Sequence, residues 1–135
     1  MKIFIDTGAF IALTDADDEN HKAAKTFYKN ATEKGARFIT TNFVVCETMN
    51  YLRARVSHRV SVIFRENLKK SSIIQIINIT PLIEDEALNI FKQYADKDFS
   101  FTDCTSFSVM KSLKLNQAFA FDKHFEQYEK FTRLP

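Results

Sequence analysis

An α/β fold is predicted by three features of the chain. Short apolar runs alternate with helical patterns, carboxylates stand where two of those runs end, and glycine and proline are too scarce to break the alternation. Lys2-Ile3-Phe4-Ile5 is the first run, strand-like in composition, and it stops on Asp6, with Thr7 and Gly8 next. In α/β proteins the carboxyl ends of the strands line the crevice where ligands bind, so an acid there is a candidate site residue.

After Asp6, Ala9 to Leu13 is a short apolar segment, broken by Asp15, Asp17, Asp18 and Glu19. That acidic run lacks the central glycine of a calcium loop, so a solvated turn is expected, its charges favouring the N-terminus of the next helix. His21 to Lys34 carries Ala23, Ala24, Phe27, Tyr28 and Ala31 at helical spacing, and Gly35 closes it as a C-terminal cap. Arg37 to Thr41 reads as a second strand, and Asn42 as the cap of a helix running to about Val56. Within that helix Glu47 stands four residues from both Phe43 and Tyr51, on a row otherwise built for packing, where an acid needs a partner or a task.

From Arg53 to Lys70 the charge is one-sided: Arg53, Arg55, Arg59, Arg65, Lys69 and Lys70 are answered only by Glu66. Such a segment is either a face for a polyanion or an ordinary solvated helix surface. Ser72 to Ile77 is a β-branched run, expected to be a buried third strand that Asn78 to Pro81 ends. Ile83 to Tyr94 is amphipathic, with Ala87, Leu88, Phe91 and Ala95 on one face. The helix after it has Asp103 in its first turn and Cys104, Phe107, Met110 and Leu113 along its apolar row. Ser100 and Asp103 fit a capping box, which by itself places an acid here, and one side chain can hardly serve both as cap and as site. Ala118 to Phe121 is the last expected strand; it ends on Asp122, followed by Lys123, His124 and Phe125.

Bulk properties bound the function. A chain of 135 residues, 45% hydrophobic and 27% charged, is expected to form a single globular domain over residues 1–135. Its two glycines are too few for a dinucleotide or Walker-type phosphate loop. Cys46 and Cys104, without a secretory signal or a membrane-length apolar run, are expected to be reduced thiols in a cytoplasmic protein. The formal charge of +2 leans weakly toward anionic partners.

Two strands end in aspartate, and Glu47 and Asp103 begin helices that follow sheet-forming or loop segments, so all four acids are expected at one carboxyl edge. At about 4 Å and an effective dielectric of about 20, each like-charged pair costs about 4 kcal/mol, so something positive must join them. His21, His58 and His124 show no ligand spacing and are expected at the surface. An oxygen-only set selects a hard cation, Mg²⁺ or Mn²⁺, whose chemistry beside a phosphate is phosphodiester hydrolysis. No serine or cysteine nucleophile with its base stands out to offer another route.

With these residues in place the chain resembles the PIN-domain nucleases, in particular the small ribonuclease toxins of VapBC-type toxin–antitoxin pairs. The likeness rests on Ile5-Asp6-Thr7-Gly8-Ala9-Phe10, on Thr41 through Glu47-Thr48, on Phe101-Thr102-Asp103-Cys104-Thr105-Ser106-Phe107, and on Ala120-Phe121-Asp122-Lys123-His124-Phe125 with Leu134-Pro135. It implies a three-layer α/β/α sandwich with a central parallel sheet, and an acidic quartet of Asp6, Glu47, Asp103 and Asp122. Asp6 and Asp103 would be the direct metal ligands, with Glu47 and Asp122 acting through water or a second ion. It further implies RNA as substrate, an antitoxin that blocks the site, and a homodimer. Two positions depart from the pattern: Ala120 stands where many relatives carry a hydroxyl, and Lys130 where glycine often precedes the last aromatic. The competing readings are a Mg²⁺-binding phosphoacceptor signalling domain, disfavoured because the third run ends in Asn78 without an aspartate, and an inactive RNA-binding module.

Overall fold

The sheet is built from β1 (Lys2–Ile5), β2 (Arg37–Thr41), β3 (Ile74–Ile77), β4 (Gln117–Phe119) and β5 (Thr132–Leu134), all parallel, in the order β3-β2-β1-β4-β5. This computed structural model describes residues 1–129 and 131–135, so Lys130, one of the two departures from the family pattern, lies outside the described residues. Among the described residues, seven helices flank the sheet: α1 (Thr7–Thr14), α2 (His21–Glu33), α3 (Asn42–Arg55), α4 (His58–Lys70), α5 (Pro81–Gln93), α6 (Phe101–Ser112) and α7 (His124–Gln127).

The chain starts in the middle strand, builds outward through β2 and β3, then returns to the other side of β1 for β4 and β5. The direction of winding therefore reverses between β1 and β4, and it is there that the connections leaving the two strands separate and open a crevice. Ile3, Phe4 and Ile5 are buried, as are Phe38 and Ile39 of β2 and Ala118 and Phe119 of β4, as befits strands covered on both faces. Phenyl rings fill the space between the layers: Phe107 of α6 stacks on Tyr128 at 4.5 Å and meets Phe99 and Phe125 edge-on at 5.0 and 5.2 Å.

Several expectations need correcting. β3 is an edge strand, half-buried rather than buried, because its outer side has no neighbour in the sheet. β4 ends at Phe119, two residues short of the predicted end, so Asp122 sits in the following loop and not on the strand tip. β5 was not expected at all. The cap of α3 is Thr41, whose hydroxyl accepts from the Val44 amide at 3.1 Å; Asn42 instead accepts from the Ile79 amide at 2.7 Å, tying α3 to the end of β3. On α5 the packed residues are Ile83, Ala87, Ile90 and Tyr94, while Leu88 and Phe91 are exposed. The acids before α2 do not serve its first turn; Asp15 and Asp18 accept amides inside their own loop. Gly35 does close α2, at φ +84, a conformation open to glycine without strain. Cys46 and Cys104 are both free.

Candidate active site

Asp6 follows β1 directly. Its amide donates to the Phe119 carbonyl at 3.1 Å, bridging to β4, and its carbonyl accepts from Ala9 and Phe10 to start α1. The backbone is thus pinned at the crevice, yet the side chain does not cap the helix it begins. Asp6 is only 4% exposed, and its Oδ1 is buried without a hydrogen-bond partner among the described residues. The neighbouring Thr7 hydroxyl is in the same condition. Burial, followed by the charges of Asp103 and Asp122, raises the Asp6 pKa well above the usual carboxylate value; Glu47 adds to this and the Thr7 amide opposes it. Those three acids therefore act on Asp6 in space as well as in pattern.

Asp103 lies in the first turn of α6. The capping box is present: Ser100 Oγ accepts from the Asp103 amide at 2.9 Å, and Asp103 Oδ2 accepts from the Ser100 amide at 3.0 Å. The cap is therefore real, and the same Oδ2 also accepts from His124 Nδ1 at 2.8 Å, leaving Oδ1 outside the cap. Burial raises the Asp103 pKa, and Asp122 adds to it against the Ser100 amide and His124. Asp122 is more exposed and accepts from the His124 amide at 2.8 Å.

Glu47 is exposed on the second turn of α3. The row it shares with Phe43 and Tyr51 is not the packing row; that row runs through Val44, Val45, Thr48 and Leu52. The expectation of a packing row, on which an acid needs a partner or a task, therefore fails, although the charge of Glu47 still reaches Asp6.

The residue that sequence reasoning missed is His124. It is half-buried against Phe99, not a surface residue, and one ligand atom each from Asp103, Asp122 and His124 falls within 4.8 Å of the others. Its signal was the two-residue spacing from Asp122 in the loop after a strand. His58 is exposed as expected, whereas half-buried His21 hydrogen-bonds the Ala12 carbonyl at 2.7 Å and ties α2 to α1. Taken together, a buried carboxylate oxygen without a donor, beside further acids and one imidazole, is a donor set that fits a divalent cation.

A parallel sheet whose winding reverses at an edge crowded with carboxylates is the architecture of the PIN-domain family, and this chain belongs to it: the family matches residues 3–131. Among its relatives is the 23S rRNA-specific endonuclease VapC20 of Mycobacterium tuberculosis, 32% identical over 123 residues that cover 91% of each chain. The crystal structure of that toxin, described as cleaving the sarcin–ricin loop, superposes with a TM-score of 0.85 at 30% identity over 93% of both chains. A VapC ribonuclease of Archaeoglobus fulgidus is 31% identical over 93% of this chain and 80% of its own. The VapBC2 structure from Rickettsia felis, bound to a promoter DNA fragment, shares the fold with a TM-score of 0.70 at 12% identity, covering 98% of this chain and 97% of its own.

Proposed function

We propose that this chain is a metal-dependent endoribonuclease and the toxin of a toxin–antitoxin pair, acting in the cytoplasm as one nuclease domain over residues 1–135. The observation that carries the reading is the buried Asp6 carboxylate, with Oδ1 unpartnered, under the charges of Asp103, Asp122 and Glu47. Asp6 and Asp103 would hold the ion directly, and Glu47 and Asp122 would hold its waters or a second ion. A bound Mg²⁺ or Mn²⁺ supplies charge neutralisation at the phosphate and a lowered pKa for its water. His124 keeps Asp103 Oδ2 occupied and so holds the carboxyl plane, with Oδ1 left outside that hydrogen bond.

The phosphoacceptor alternative loses ground on topology, since flavodoxin-like domains wind in the order 2-1-3-4-5 and this sheet runs 3-2-1-4-5. For the antitoxin, a cavity of about 760 Å³ opens between α1, α2 and α4; it is lined by Phe10, Tyr28, Val60 and Phe64 and edged by Lys25 and Lys29, which suits an apolar segment with acidic flanks. For a homodimer, Leu82, Leu88 and Phe91 of α5 are exposed.

Ribosomal RNA is the first substrate to test, because one relative is named a ribonuclease and another a 23S rRNA-specific endonuclease. Cleavage is expected with Mg²⁺ or Mn²⁺, not with EDTA, and Asp6→Asn is expected to lower it more than about 100-fold. Intact ribosomal and mixed RNA after incubation with folded, Mn²⁺-loaded protein would overturn the reading and leave the inactive RNA-binding module.

A further inference from the structure

The basic segment from Arg53 to Lys70 is not used by the acidic site, yet one of its members turns inward. Arg65 of α4 is half-buried, and its Nη1 is fully buried with no hydrogen-bond acceptor among the described residues. It takes part in none of the ion pairs found there. A guanidinium is always charged and carries five donors, so a buried nitrogen without an acceptor costs free energy that an acceptor entering beside it relieves. Arg65 lines a cavity of about 300 Å³ with Asn42, Cys46, Met49, Asn50 and Asn78.

The position of this cavity matters as much as its lining. Asn42 follows β2 and Asn78 follows β3, so the cavity lies on the same carboxyl edge as Asp6, displaced toward the outer strand. Two strand spacings separate β1 from β3, which puts it on the order of 10 Å from the acidic centre along the edge. The Asn42 side-chain oxygen already accepts from the Ile79 amide, which holds the side chain in place and leaves its NH₂ as two further donors. A planar fork of donors beside amide groups matches phosphate oxygens and the polar edge of a nucleotide.

We infer that this cavity is a subsite for the RNA strand, in which Arg65 grips a phosphate neighbouring the cleaved bond while Asn50 and Asn78 hold the attached nucleotide. The inference rests on the ribonuclease reading above and adds where the substrate lies beyond the cut. It also gives α4 a function that its surface charge alone did not.

The test is binding of a short fluorescent single-stranded RNA in EDTA, where no turnover occurs, followed by kinetics with Mn²⁺. Arg65→Ala is expected to weaken binding at least about tenfold and to reduce the salt dependence of log K by about 0.7, one phosphate's share for a single strand. In turnover it should raise KM more than it lowers kcat, and Arg65→Lys should recover part of the loss. Cys46, exposed on the cavity wall, is a built-in reporter: RNA should slow its alkylation in the parent protein and not in Arg65→Ala. Buried Cys104, its thiol pushed up to about 11 by burial and by Asp103, should stay silent. If Arg65→Ala folds poorly, exposed Asn78→Ala should still weaken binding severalfold, and Cys46 protection in the parent protein stands by itself. Unchanged affinity and salt slope in folded Arg65→Ala, or in Asn78→Ala, with Cys46 alkylated equally fast with and without RNA, would overturn the subsite. RNA that is bound but never cut would instead defeat the ribonuclease reading, so the two failures are distinguishable.

Discussion

Asp103 Oδ2 accepts from both the Ser100 amide and His124 Nδ1, and that double use decides how the acidic centre is oriented. Two donors on one oxygen fix the carboxyl plane and leave Oδ1 outside both hydrogen bonds. With Asp103 in its proposed role as a metal ligand, the imidazole that orients it is an outer partner of the kind whose loss costs about 10–100-fold in metal affinity or activity. His124→Ala should therefore lower RNA cleavage by about that factor, while His124→Asn, whose amide can donate from nearly the same place as Nδ1, should retain most of it. Equal losses in both variants, measured at saturating Mn²⁺, would mean that the Nδ1 hydrogen bond is not what matters. Asp6, Asp103 and Asp122 stand out in the sequence because each lies at or beside the start of a helix after a strand or loop pattern, whereas Glu47, on the second turn of α3, was singled out by a packing row that the structure does not have. The histidine could not, since a hydrogen bond between residues 103 and 124 leaves no periodic trace, and neither could the unpartnered Arg65 nitrogen.

Among the elements, β1, β2 and α2 were legible because their boundaries carry chemistry: Asp6 ends the first, a helix cap ends the second, though it is Thr41 and not the expected Asn42, and Gly35 closes the third. α5 was misread because two of its rows are apolar, and only packing against α6 selects Ile83, Ala87, Ile90 and Tyr94 over Leu88 and Phe91. β5 was invisible for another reason, as a three-residue edge strand, Thr132-Arg133-Leu134, with a charge at its centre carries no β pattern. It nonetheless pairs along the whole of β4, and the Ala120 amide, at the position that departs from the family pattern, donates to the Leu134 carbonyl at 3.0 Å. Truncation after Phe131 should leave those groups unpaired and lower the melting temperature, with cleavage falling as the loop carrying Asp122 loosens. Ser100→Ala tests α6 more gently. Losing the cap hydroxyl costs about 1 kcal/mol, which for a domain of this size is roughly 3–5 °C in thermal melting, and cleavage should drop further than stability because Asp103 shares the box.

For the whole molecule, one parallel sheet gathers acids from residues 6, 47, 103 and 122 and binds their energetics together. Folding raises the pKa of Asp6 and Asp103, mainly by burial, so the native state holds protons that the unfolded chain releases near the ordinary carboxylate value of about 3.9. Wherever the native state binds more protons than the unfolded one, stability falls as pH rises. The metal-free protein should therefore lose stability from about pH 4 upward to the raised Asp6 value, and level off above it. A divalent ion binds the deprotonated cluster, so its stabilising effect should grow over the same interval, reaching about 2.7 kcal/mol at a free concentration 100 times Kd. Asp6→Asn should flatten both trends, melting higher than the parent protein in EDTA near neutral pH and responding less to Mn²⁺. Melting curves of parent and variant between about pH 4 and 8, with EDTA and with Mn²⁺, read all of this at once. A parent-minus-variant difference that stays constant with pH, and that Mn²⁺ does not change, would mean that the buried carboxylate neither carries the proton inferred for it nor shares an ion with its neighbours.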